Sequence, residues 1–148
     1  MLEVTVVEHF DLDRARLWDA LADLEGHREW MTDVRTLRFL TERRSGVGTK
    51  YVIGVRTGPL RARDHIEVIG WDRPIELAIT HRIGPARGEG RFRLEVDGPG
   101  TRLEWRARFE VPTWVGGRLT ERLGAPATRR LLTRNLASLR RWLADREC

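Results

Sequence analysis

The stretch with the least structural freedom is residues 127–143, ATRRLLTRNLASLRRWL. Leu132, Leu136, Leu139 and Leu143 recur at the four- and three-residue spacings of one helix face, with Leu131, Asn135 and Trp142 beside them. Arg129, Arg130, Arg134, Arg140 and Arg141 occupy most of the remainder. A helix with a single apolar stripe must lay that stripe on a partner. Six or seven strand-like segments precede it and almost no other long helical pattern does, so the partner is a curved sheet. What this leaves open is whether helix and sheet close completely or enclose a cavity.

Residues 2–10 alternate as a strand, with Val4, Val6 and Phe10 on one side and Glu8 sharing it. Asp11 or Asp13 can cap the helix that follows, whose Leu17, Trp18, Leu21 and Leu24 form an apolar face ended by Glu25 and Gly26. A second short helix or turn carries His27, Trp30 and Met31. Strand patterns then cover residues 34–41, 49–56, 60–70, 75–83, 90–96 and 101–110. The turns between them hold Gly46 and Gly48, Gly58-Pro59, Trp71 to Pro74, Gly84 to Gly88, and Asp97 to Gly100. Such short connections imply antiparallel hairpins and hence a meander. Pro112 stops the last strand; residues 114–123 begin helical, Gly124 and Pro126 interrupt that pattern, and the long helix is expected from about Ala127. The interruption would let the preceding segment move as a lid. With no repeat, low-complexity tract or linker, residues 1–148 read as one domain.

Composition excludes several classes. Apolar content of 41% and charged content of 33% suit a soluble globular chain, and no run approaches the roughly 20 apolar residues of a membrane span. The start, MLEVTVVEHF, has neither a basic segment nor a small-residue cleavage site, so it reads as a strand rather than a signal peptide. Cys148 is the only cysteine, which rules out an internal disulfide and suits a reduced, cytoplasmic protein. A net charge of +5 invites a nucleic-acid reading. Against it, every basic residue except Lys50 is arginine, and the arginines are interleaved with Asp and Glu along the whole chain. His9, His27, His65 and His81 are scattered without ligand spacing, so neither a metal nor another cofactor is expected. Ser45 and Ser138 lie outside any nucleophile motif, and the glycines before Lys50 lack phosphate-loop spacing.

The order strand, two short helices, six-stranded meander, long C-terminal helix resembles the helix-grip fold of the START / Bet v 1-like superfamily, in its polyketide cyclase/dehydrase-like branch. The residues carrying the resemblance are Phe10 to Trp18 at the strand-to-helix entry and Asp23 to Met31, with Glu29-Trp30, at the second helix. Gly46 to Thr49, Trp71 to Pro74, and Gly100 to Leu103 match the family's later turns. Asp13 and Arg14 stand where many relatives carry prolines. The resemblance implies an α+β fold: a seven-stranded antiparallel sheet wrapped around the long helix, with two short helices between strands one and two. It also implies a small hydrophobic ligand, a polyketide, aromatic or lipid-like molecule, held between sheet and helix. Cyclase, dehydratase or aromatase chemistry is one activity found on this fold. A non-catalytic carrier or sensor, or a partner-binding protein, is the other reading, since fold does not determine activity. A homodimer is compatible with either.

Strand parity supplies a map of the pocket. A four-residue turn between Gly70 and Ile75 would pair Ile66 with Ile79, Val68 with Leu77 and Asp64 with His81. The next hairpin, pairing Val96 with Thr101, sets Phe92 opposite Trp105. Extended across the turn at Gly84 to Gly88, one rung would read Asp64, His81, Phe92, Trp105. A carboxylate beside an imidazole favours its protonated form and fixes its tautomer, while an apolar surround works the other way. Asp64 and His81 are therefore the candidate proton-transfer pair. A structural hydrogen bond and a ligand-orienting role are also open to them. Glu8, Tyr51, Ile66, Ile79, Phe92, Trp105, Leu132, Asn135 and Leu136 are the candidate ligand-binding residues. Among them Asn135 interrupts the leucine stripe and needs a polar partner from the sheet, water or a ligand. Tyr51 can bond a ligand if it faces inward. Trp30 and Trp142 read as core or pocket wall.

Overall fold

The computed structural model describes residues 2–83, 87–110 and 117–147. Its elements are β1 (Leu2–Phe10), α1 (Arg14–Ala22), α2 (His27–Trp30), β2 (Val34–Phe39), β3 (Lys50–Thr57), β4 (Leu60–Asp72), β5 (Glu76–Ile83), β6 (Arg87–Asp97), β7 (Gly100–Glu110) and α3 (Gly117–Glu147). The seven strands form one antiparallel sheet in the order β1-β7-β6-β5-β4-β3-β2. This is the expected helix-grip arrangement: a meander of six strands, with β1 added alongside β7.

Leucines hold α3 in place. Leu132, Leu136 and Leu139 are buried and pack with Val4, Phe10 and Leu103 of β1 and β7. Full burial of each such side chain is worth about 1.5–3 kcal/mol relative to exposure. The arginines of the other faces tie the helix to β1: Arg129 donates to the Thr5 carbonyl at 2.9 Å, and Arg140 donates to the His9 carbonyl at 2.9 Å while lying over the Phe10 ring. Under the sheet's other end, α1 buries Leu17, Trp18 and Leu21. Trp18 Nε1 donates to the Glu76 carbonyl at 3.0 Å and its ring meets Trp71 edge-on, clamping the β4–β5 hairpin. A second core cluster joins Leu24, Val34, Tyr51, Ile53, Ile66 and Val68.

Three expectations are corrected. First, Gly124 and Pro126 do not interrupt the last helix: α3 runs through both from Gly117. A proline lacks only its own N–H and clashes only with the preceding turn, a local cost that the packed leucine stripe outweighs. Second, the β4–β5 register differs from the pairing a four-residue turn gives, by three residues next to the turn and by two at Val68 and Ile66. Strand β4 continues to Asp72, which pairs with Glu76. Ile66 therefore faces His81, and Val68 faces Ile79. Register shifts at Ile69 and Arg82, each an extra residue on one strand, accompany the change. Third, β6 starts at Arg87 rather than Gly90, so Gly88 is a strand residue opposite His81 and Phe92 lies opposite Leu77. Phe92 and Trp105 do pair, as do Val96 and Thr101. Residues 84–86 of the expected turn, Pro112, Trp114 and Cys148 lie outside the described residues, as does the side chain of Ile83.

Candidate functional site

Between the sheet and α3 lies a cavity of about 450 Å³. It exists because large side chains run out there. Small residues stand among the wall residues of three elements: Gly90 on β6, Ala107 on β7 and Gly124 on α3. A Cβ on Gly124 would stand 3.4 Å from Leu2, an ordinary contact, so the absent methyl leaves space beside the strand. The apolar walls are carried by Ile53, Ile66, Ile79, Phe92, Trp105 and Leu132 among others. The Phe92 and Trp105 rings pack 4.8 Å apart between centroids.

Polar groups interrupt these walls at a few points. Asp64 and His81 both line the cavity, and His81 Nδ1 donates to Asp64 Oδ2. They meet although the register differs from the expected one. His81 faces Ile66, and Asp64, two residues along on the same face, is its diagonal neighbour and within side-chain reach. The expected rung is otherwise replaced: His81's aromatic neighbour is Phe109, 5.8 Å between ring centroids, because Gly88 stands between them in the sheet. Asp64 Oδ1 is buried and has no hydrogen-bond partner among the described residues.

Tyr51 faces inward, buried on β3 and lining the cavity. Burial, with Asp64's charge as a second cause, pushes its phenol far above the ordinary range, so it remains protonated. Asn135 is 2% exposed. Its Oδ1 accepts from Thr32 N at 2.9 Å and Thr32 Oγ1 at 2.8 Å, and its Nδ2 donates to Asp33 Oδ1 at 3.2 Å. The partner that the stripe's polar residue requires is thus the segment between α2 and β2. His27 completes the polar wall. Its Nε2–H donates to the Leu21 carbonyl at 2.7 Å, leaving Nδ1 as an acceptor. Burial lowers its pKa, opposed by that bond and by Asp23, so the ring is neutral near pH 7.

Two candidates fall outside the cavity wall. Glu8 keeps the parity of Val6 and Phe10, but α3 overlies β1 there and offers a guanidinium: its carboxylate lies 3.6 Å from Arg140 and is not part of the lining. Leu136 lies one turn beyond Leu132, past Asn135, where the leucine stripe has closed onto the core, and it is 1% exposed. Trp142 sits apart as well, its Nε1 donating to Glu29 on α2 at 2.9 Å. Among the described residues no cluster of three or more His, Cys, Asp or Glu is placed to hold a metal ion, and no helix is long and apolar enough to cross a membrane.

Residues 1–144 match the family model described as polyketide cyclase / dehydrase and lipid transport. The chain belongs to that family. Solved structures similar to this family member include the TTHA0849 protein of Thermus thermophilus, at 19% identity and TM-score 0.86 over 99% of both chains. A START superfamily protein from Mycobacterium smegmatis aligns at 17% identity and TM-score 0.78, over 95% of this chain and 98% of that one. Major latex-like protein 151 of Panax ginseng is 8% identical, with TM-score 0.74 over 93% of this chain and 94% of that one. At such identities the likeness is one of fold. No curated protein matches the sequence.

Two lining residues of this polyketide cyclase/dehydrase-like domain, His27 and Asp33, carry no mark in the strand pattern. Both precede or begin the meander, where strand parity says nothing. A cue existed for His27, which follows directly on an apolar helical face and lies near Trp30, 5.4 Å away between ring centroids.

Proposed function

We propose that this chain binds a small hydrophobic molecule, a polyketide, aromatic or lipid-like compound, in the cavity between sheet and α3, and that Asp64 and His81 form its proton-transfer pair. The observation that carries the reading is a largely apolar cavity of about 450 Å³ with a bonded carboxylate–imidazole pair in its wall. That volume lies within the about 300–1,000 Å³ usual for small-molecule sites. With Nδ1–H held by Asp64, the imidazole has Nε2 left to exchange a proton with a ligand. In a cyclisation, the base removes a C–H proton beside a carbonyl, the resulting enolate carbon bonds to a second carbonyl carbon, and the same proton returns to the alkoxide formed. Loss of water follows as a dehydration. Tyr51, kept protonated by its surroundings, supplies a hydrogen-bond donor able to orient a carbonyl.

The test is turnover of a poly-β-ketone surrogate by the wild type and by the Asp64→Asn, His81→Ala double variant, with native mass spectrometry of protein from its own host to reveal a retained ligand. A positioned acid/base group contributes about 10²–10⁴-fold, so a loss of at least that order is expected. Activity that survives both substitutions removes the catalytic assignment. Retained ligand without turnover supports carriage instead, a reading favoured by the family description itself, which joins lipid transport to cyclase and dehydrase activity.

A further inference from the structure

The cavity's charge is opposite to that of the chain. The protein holds 27 basic residues against 22 acidic ones. Yet no Arg or Lys whose side chain the structure describes lines the cavity, whereas Asp33 and Asp64 both do. Several arginines are engaged elsewhere by surface carboxylates and backbone carbonyls: Arg73 forks onto Asp19, Arg44 reaches Glu25, and Arg129 reaches Thr5. An anionic headgroup entering this enclosure would lose its hydration and meet like charge with little screening.

The two carboxylates are not equivalent. Asp33 Oδ1 already accepts from Asn135, and Asp64 Oδ2 accepts from His81. Asp64 Oδ1 is the buried oxygen with no partner among the described residues. A carboxylate oxygen only accepts, so an O–H or N–H must approach it. A charged ammonium would be drawn to the carboxylates, but it would surrender its hydration to walls that are mostly hydrocarbon and aromatic ring. A neutral hydroxyl on an apolar body loses far less. Beside Asp64 stand Tyr51, Ile66 and the His81 ring packed on Phe109, surfaces suited to a planar apolar molecule.

Resting on the ligand-binding reading above, we propose that the cavity selects an uncharged aromatic or enolic hydroxyl compound whose O–H donates to Asp64 Oδ1, and that it rejects carboxylates such as free fatty acids. A site built to bond a substrate hydroxyl discriminates strongly against analogues without one, because its own polar group is then left unpaired.

Titration calorimetry of the full chain at pH 7 with four probes on one ring system tests this: 2-naphthol, 2-methylnaphthalene, 2-naphthoate and 2-naphthylmethylamine. At that pH the phenol keeps its proton and the carboxylic acid does not. 2-Naphthol is expected to bind at least tenfold more tightly than each of the other three. In Asp64→Asn, checked for folding by circular dichroism, the margin of naphthol over naphthoate shrinks several-fold. If that variant does not fold, the order of the probes on the wild type decides alone. Naphthoate or the amine binding as tightly as naphthol overturns the proposal, as does a methyl analogue that matches naphthol. In the last case the cavity still binds hydrophobic molecules and the broader reading stands. Binding of none of the four overturns both.

Discussion

Replacing Asn135 with alanine tests whether one side chain holds α3 against the segment that closes the cavity. The change removes three hydrogen bonds, two from Thr32 and one to Asp33. Each is worth about 0.5–1.5 kcal/mol net. Thr32 and Asp33 are half-buried, so water entering the vacated volume can serve part of their polar groups. The expected destabilisation is therefore about 2–3 kcal/mol. For a chain of this size it corresponds to a fall in Tm of roughly 5–10 °C, read by circular dichroism. Asn135→Asp separates the contributions. Its carboxylate can still accept from Thr32 but would face the Asp33 carboxylate where the amide now donates. Like charges disfavour the doubly ionised state, so Asn135→Asp should regain stability as pH falls and one of the pair takes up a proton. A loss below about 0.5 kcal/mol for alanine, or a pH-independent aspartate variant, would refute the claim that this contact carries the closure.

Two other outcomes follow from the same geometry. A Cβ on Gly90 would meet Ile79 at 3.4 Å, an ordinary contact, so Gly90→Ala should raise stability by about 1–2 kcal/mol through a stiffer unfolded chain and one more buried methyl. Gly90→Leu should fold and yet lose ligand affinity, measurable by competition with a bound naphthol. Because the folded pKa of His27 lies below its unfolded value, the unfolded state binds more protons, and stability present above about pH 6.5 is lost as pH falls below it. In His27→Phe, which can keep the edge-on contact with Trp30, that part of the pH dependence of Tm should vanish at a cost of about 1 kcal/mol for the lost bond to Leu21.

Local regularities were the legible part of this chain. The leucine stripe, the alternation of β1 and the short turn that pairs Val96 with Thr101 each record a local rule, and each appears in the fold. The β4–β5 register was not legible, because the extra residues Ile69 and Arg82 carry no turn chemistry to mark them. Asp64 and His81 nonetheless meet, since the two-residue shift at Ile66 and Val68 keeps the side chains there on their own face. Gly88 and Gly90 were misread, the first as part of a turn and the second as the start of its strand; a strand glycine and a turn glycine look alike until the strand's partner is known. The partner of Asn135 lies about a hundred residues away at Thr32 and Asp33, a distance no periodicity spans.

The titratable groups of the cavity and the residues that empty it come from different elements. Gly90, Ala107 and Gly124 belong to β6, β7 and α3, whereas Tyr51, Asp64 and His81 belong to β3, β4 and β5. Capacity and selectivity are therefore separable inheritances. A lineage can enlarge or shrink its cargo by single methyl steps on one half of the sheet without disturbing the hydrogen-bonding code written on the other.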